Sequence, residues 1–190
     1  MGAQATNAFI FLISTLFNLY MGAVLLRIIL QWVRADFYNP ISQLVWKVTQ
    51  PVLAPLKNLV PKHRKLDIAA AILLLVLAAI YIQIISAIFN FEVGLLLTLW
   101  FASLKVIGLA LIVYTISITI YAILSWFGPG FSNPAANILY SINEPLLRPI
   151  RRIMPPISGL DLTPLVAILL LQVLGMLLPL PGYFSFTRIG

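Results

Sequence analysis

Glu144, Arg148, Arg151, Arg152 and Asp161 crowd into one short stretch of the chain, and Asp67 follows Arg64 and Lys65 in another. Carboxylates and guanidinium groups at such spacing have two uses. They can pair with each other, or the arginines can hold a phosphate through charge-assisted hydrogen bonds. An enzyme acting on lipid or prenyl substrates would need more than this. No nucleophile has a base beside it, and there is neither a paired-Asp metal motif nor a phosphate-cradling Gly loop. The chain has no cysteine, so disulfides, thiolate metal sites and Cys nucleophiles are excluded. The single His63 lies in the basic run Pro61 to Lys65 and reads as a solvated loop residue. No catalytic, metal or cofactor site is expected. The expected role of the cluster is an ion-pair clamp.

The elements that must position these residues are apolar. Of 190 residues, 62% are hydrophobic and only 9% charged, against about 25% charged in a soluble domain. A membrane is the natural solvent for such a chain. Its net charge of +7 would suggest nucleic acid in a soluble protein. Here the bases interleave with segments that should lie on a membrane, so they read as topology signals and as contacts to anionic lipid. Four apolar stretches stand out: about Ala8 to Trp32, Ile68 to Phe89, about Leu95 to Phe127, and Leu162 to Leu180. A spanning helix needs about 20 apolar residues, so four spans are expected. The third stretch is too long for one straight span and contains Lys105. Its membrane part is placed near Val106 to Trp126, with an interfacial start. The first stretch lacks the basic flank of a signal peptide and is expected to remain as a helix.

Nine of the twelve bases lie in two loops, Val33 to Leu66 and Gly128 to Leu160, while the link between spans two and three holds Glu92 and no base. The positive-inside rule places both long loops in the cytoplasm. Arg188 and Lys105 argue the other way and are outnumbered. Arg27, about five residues from the end of the first span, is expected to snorkel, as is Lys105 at the opposite side.

The two halves repeat at a spacing of 94 residues without a gap. Trp32 matches Trp126, Asn39-Pro40 matches Asn133-Pro134, and Pro51 and Pro55 match Pro145 and Pro149. Pro61, Leu66 and Asp67 match Pro155, Leu160 and Asp161. There are 12 identities in the 39 positions from Ile29 to Asp67, mostly at Trp, Asn, Pro and Asp. Composition bias matches Leu with Leu, but not four prolines in register. The repeats are assigned to residues 1–94 and 95–190, each helix–loop–helix, related by a pseudo-twofold axis along the membrane normal. Within each loop the apolar residues keep helical spacing: Ile41, Leu44, Val45 and Val48, then Leu53 and Leu56; Ile138 and Ile142, then Leu147 and Ile150. Asn39 and Asn133 are expected to cap, with proline at the first helical turn. Pro51 and Pro145 are expected to divide each loop into two short amphipathic helices. Asp67 and Asp161 are placed to cap the spans that follow. Gly22, Ala23, Ala69, Ala70, Ala71, Ala78 and Ala79 would allow close helix packing. The fold class is therefore all-α integral membrane: two tandem repeats, about four transmembrane helices, and amphipathic interfacial helices in both long loops.

At these motifs the chain resembles the YggT family of bacterial integral membrane proteins. Leu124-Ser125-Trp126, Asn133-Pro134, Glu144 to Pro156 and Gly159 to Gln172 carry the family pattern most fully. The first repeat is a diverged copy, with Gln50 for Glu144, Ala54 for Arg148 and Asn58 for Arg152. The resemblance covers essentially the whole chain. It implies a non-enzymatic, multi-pass protein of the bacterial inner membrane. It further implies roles like those linked to members: osmotic or ionic stress tolerance, cell division, and cytochrome maturation in plastids.

Two classes of function remain. One is support of membrane-complex assembly or of envelope and osmotic homeostasis. The other is a small oligomeric channel or transporter. The second is disfavoured by the scarcity of ionisable groups at depth; Asn18, Gln83, Ser86 and Gln172 more often bond helices together. The expected partners are the bilayer, with anionic lipid at its cytoplasmic face, and other membrane proteins or further copies of this chain, not nucleic acid. Neutralising Glu144 and Asp161 separates a structural clamp from a ligand site. Loss of folding in E144Q/D161N, read by thermal melting in detergent, marks a clamp; intact folding with lost function marks a site.

Overall fold

The computed structural model describes residues 3–58, 60, 67–125, 133–154 and 161–185. These form six helices: α1 (Ala3–Trp32), α2 (Pro40–Lys57), α3 (Ile68–Ile88), α4 (Leu95–Ser125), α5 (Pro134–Ile153) and α6 (Thr163–Leu177). No strand occurs among the described residues. The chain is an all-α membrane protein. α1, α3 and α4 are apolar on every side and long enough to cross a bilayer. At 1.5 Å per residue, α4 with its 31 residues is about 46 Å long.

The expected fourth span is shorter than its apolar stretch. α6 has 15 residues, about 22 Å, so among the described residues three helices reach spanning length. Prolines set its end. Pro179 and Pro181 cannot donate into a helix, and the residue before a proline is pushed to extended backbone; Leu178 sits at φ −68°, ψ 123°. The segment after it folds back, and Phe184 buries against Tyr81, Ile82 and Ile85 of α3.

α4 is continuous, so Lys105 does not divide it. Nor does Lys105 snorkel: it is fully buried. Its ammonium donates to the Phe184 carbonyl at 3.1 Å and lies 3.9 Å from the centre of the Tyr81 ring. Lysine is a good helix former. What the charge needed was a partner, and that partner comes from a segment distant in the chain.

The loop helices are also corrected. α2 and α5 are each one helix that runs through both of its prolines. The prolines are four residues apart, Pro51 with Pro55 and Pro145 with Pro149. All four therefore share the exposed face of their helix. The hydrogen bonds that the prolines remove are lost on that open side, while Thr49 and Leu53, or Asn143 and Leu147, keep the buried face intact.

The helices repeat as the residues do. α2 and α5 begin 94 residues apart, at Pro40 and Pro134. In each half the two apolar helices and the loop helix pack against one another, and α3 against α4 joins the halves. Asn39 and Asn133 cap their helices, accepting from Ile41 N at 3.0 Å and from Ala136 N at 2.7 Å. Asn39 also donates Nδ2–H to the Pro134 carbonyl at 2.7 Å, so the starts of α2 and α5 meet on one side of the molecule. Met21, Val24, Leu53, Ala70, Leu73, Leu74 and Ile142 lie in the central core. Ala69, Ala70 and Ala78 are buried among helices. Gly22 is not a close-approach site, since a Cβ there would meet nothing within 4 Å.

α1 ends in a Schellman turn. Ala35 N–H reaches the Leu30 carbonyl at 2.9 Å and Arg34 N–H the Gln31 carbonyl at 3.2 Å. The left-handed residue of this turn is Arg34, at φ 55°. Glycine is usual there, and a side chain costs about 1–2 kcal/mol.

Replacing Asn39 should destabilise more than replacing its counterpart. N133A should lose one cap, about 1 kcal/mol. N39A should lose a cap and the bond to α5, a further 1 kcal/mol or so. Thermal melting of both variants in one detergent checks the order.

Candidate functional site: two charge clamps beside the loop helices

Asp67 lies just before α3. One carboxylate oxygen caps the helix, accepting from Ala70 N at 3.1 Å. The other meets Arg27 Nε at 3.2 Å and Lys57 Nζ at 3.0 Å. Arg27 comes from α1 and Lys57 from the last turn of α2, where a cation also suits the helix dipole. Arg27 then donates to Thr49 Oγ1 at 2.8 Å and to Gln50 Oε1 at 2.9 Å. Thr49 donates its own hydroxyl hydrogen bond to the Val45 carbonyl at 2.7 Å. One guanidinium thus binds three helices together. Arg27 does not snorkel: only 7% of it is exposed. In an apolar setting a charge persists only when paired and hydrogen-bonded.

The second repeat builds the same clamp at matching positions. Asp161 accepts from Thr163 N–H at 2.9 Å through one oxygen and meets Arg151 Nε at 3.3 Å through the other; unlike Asp67 it is not the expected cap, because α6 starts one residue later and its cap position falls on Leu162. Arg151 also reaches Glu144 at 3.1 Å, two turns back on α5. At the 94-residue spacing Lys57 matches Arg151, Asp67 matches Asp161 and Gln50 matches Glu144, but Arg27 matches Tyr121. The chemistry therefore differs. The first clamp sets two cations against one carboxylate, and the second sets one cation against two. The first is buried, with the Asp67 side chain 6% exposed, whereas that of Asp161 is 39% exposed.

Burial alone would raise the Asp161 carboxyl. Hydrogen bonding from Thr163 and the Arg151 guanidinium outweigh this and hold it below its ordinary value of 3.8. Burial alone would lower Arg151; Glu144 and Asp161 reverse that and raise it.

Of the cluster expected from the sequence, the structure brings together Glu144, Arg151 and Asp161. Arg148 and Arg152 stand exposed on α5 and form no ion pair among the described residues. Asp67 takes its partners from α1 and α2; Arg64 and Lys65, expected beside it, lie outside the described residues. Trp32 is exposed at the end of α1. Trp126, Pro61 and Pro155 also lie outside the described residues. Arg27, Thr49, Gln50 and Lys57 were missed as members of a site. A base inside a span is itself a signal, and laying Lys57 over Arg151 would have shown the second partner. Among the described residues no three His, Cys, Asp or Glu side chains gather as a metal would need.

The helices and their twofold-repeated clamps define a membrane protein made of two tandem copies of one unit. Residues 6–91 and 100–181 match the family described as CCB3/YggT. The chain belongs to this family. It is 40% identical over 177 residues to the uncharacterized protein YggT of Escherichia coli K12, covering 90% of this chain and 88% of that one. An uncharacterized protein of Pseudomonas aeruginosa is 40% identical over 174 residues, with the same coverage. The uncharacterized protein ycf19 of Guillardia theta is 33% identical over 66 residues, 35% of this chain and 67% of its own. No solved structure matches.

The two clamps should respond differently to loss of a carboxylate. D67N leaves Arg27 buried without an anion and should cost about 3–5 kcal/mol. D161N removes an exposed pair and should cost about 1 kcal/mol or less. The depressed Asp161 pKa also has a sign in pH. Its contribution is complete above the unfolded value near 3.8 and is lost as pH falls through the lower folded value. Melting curves between pH 6 and about pH 3 should show wild type and D161N converging at the acid end.

Proposed function

We propose that this chain is a non-enzymatic protein of the bacterial inner membrane that supports the assembly or upkeep of other membrane complexes. α2 and α5 would lie at the cytoplasmic face. The observation that carries this reading is a fixed platform. Each loop helix is clamped to the start of the apolar helix that follows it, the two are joined through Asn39, and they turn Lys47, Arg148 and Arg152 outward. Bases held on rigid helices at the basic side of a membrane suit both anionic lipid and an acidic partner.

The polar groups of the apolar helices support a structural role over a conducting path. Gln83 donates to Thr98 at 2.6 Å and to the Val93 carbonyl at 3.0 Å. Ser14 and Tyr81 share a hydrogen bond at 3.1 Å. Such groups bind helices together.

Extraction from the native membrane in mild detergent tests the reading. A defined membrane complex should accompany the wild-type chain at stoichiometric level, and R148A/R152A should lower its recovery about tenfold while melting like wild type. A lone monomer or homo-oligomer would overturn the assembly role. Ion flux in liposomes would then test the channel reading.

A further inference from the structure

Between the end of α1 and α2 lies a cavity of about 410 Å³, lined in part by Arg27, Arg34, Ser42, Trp46 and Lys57. Small-molecule sites typically enclose about 300–1,000 Å³. Three cations face this space. Asp67, which touches Arg27 and Lys57, offsets one of them. Asp36, two residues beyond Arg34, does not line the cavity and accepts from Tyr38 N–H at 2.9 Å. Among the described residues, the lining together with Asp67 therefore carries two positive charges in excess.

The donors are available as well as charged. Arg27 uses three of its five N–H groups on Asp67, Thr49 and Gln50, which leaves two. Ser42 is 8% exposed, and its hydroxyl has no hydrogen-bond partner in this structure. A buried hydroxyl without a partner calls for an explanation; beside surplus cations, an oxyanion supplies one. Phe37 and Trp46 stand edge to face 6.1 Å apart, aromatic bodies of the kind that sit at headgroup level.

The second repeat did not keep these features. Where the first has Arg27, Arg34, Ser42 and Lys57, the second has Tyr121, Gly128, Ala136 and Arg151. Arg151 is already held by two carboxylates. Position 34 is the most telling. The second copy has the glycine that a left-handed turn favours, whereas the first holds an arginine at φ 55°. Strain kept where an ordinary residue is available points to use of the side chain.

We infer that this cavity is a binding site for a phosphate oxyanion, in particular the headgroup phosphate of an anionic phospholipid. Arg34 and the spare N–H groups of Arg27 would bind the oxygens, Lys57 would add charge, and Ser42 would donate its hydroxyl. The site does not depend on the assembly role proposed above.

R34G tests this, because it removes a cation while relieving the turn and so does not threaten the fold. S42A is the second variant. Native mass spectrometry would follow each protein in nonionic detergent with added phosphatidylglycerol, with phosphatidylcholine as the zwitterionic control. A parallel arm would measure the melting shift with inorganic phosphate. Wild type should retain about one phosphatidylglycerol per chain in preference to phosphatidylcholine, and R34G should weaken that retention about tenfold without lowering the lipid-free melting temperature. S42A should weaken it less. Stabilisation by inorganic phosphate that R34G abolishes, with no lipid preference, would identify the free oxyanion as the ligand. Equal retention by wild type and R34G, or no response in either arm, would overturn the proposal.

Discussion

A buried guanidinium holds the first half of this molecule together. Arg27 is buried, and among the described residues its side-chain hydrogen bonds all go to other elements: Asp67 before α3, Thr49 and Gln50 on α2. Helices in lipid gain little from hydrophobic burial against each other, because the tails are as apolar as the side chains. A paired charge supplies the direction that apolar packing lacks. It fixes where α2 lies along α1 and where α3 starts. The core of Met21, Val24, Leu53, Ala70 and Leu73 then packs around a geometry already set.

Duplication makes the departures from symmetry informative. Both copies keep a base in the last turn of the loop helix and a carboxylate before the next apolar helix. That common part is architecture. The differences, Arg27 for Tyr121 and Gln50 for Glu144, reverse the local charge balance from surplus cation to surplus anion. Two copies of one frame thus hold clamps of opposite charge balance, while both loop helices still turn bases outward, Lys47 on α2 and Arg148 and Arg152 on α5.

What could be read from the sequence was local. Asn39 and Asn133 stand next to the helices they cap, and Asp67 and Asp161 stand next to the amides they accept from. The repeat was legible because Trp, Asn, Pro and Asp are hard to interchange. Distant pairings were not legible. Arg27 and Asp67 are 40 residues apart, and Lys105 and Phe184 are 79 apart. No periodicity encodes such a meeting, so both bases looked like snorkelling side chains. The prolines misled for another reason. Their cost depends on which face of the helix carries them, and that face is known only once the helix has docked.

The Lys105 pairing also bears on how the chain is made. The ammonium lies some 15 Å along α4, counted at 1.5 Å per residue, and its acceptor is the Phe184 carbonyl. Synthesis runs at about 5–20 residues per second. The 79 residues that follow Lys105, up to and including Phe184, therefore take on the order of several seconds to be made. During that interval α4 has a charged residue without this acceptor. Tyr81 of α3 precedes Lys105 in the chain and offers its ring in that interval, and the Phe184 carbonyl adds to it once the later segment arrives. The segment after α6 therefore closes over a helix that was made well before it.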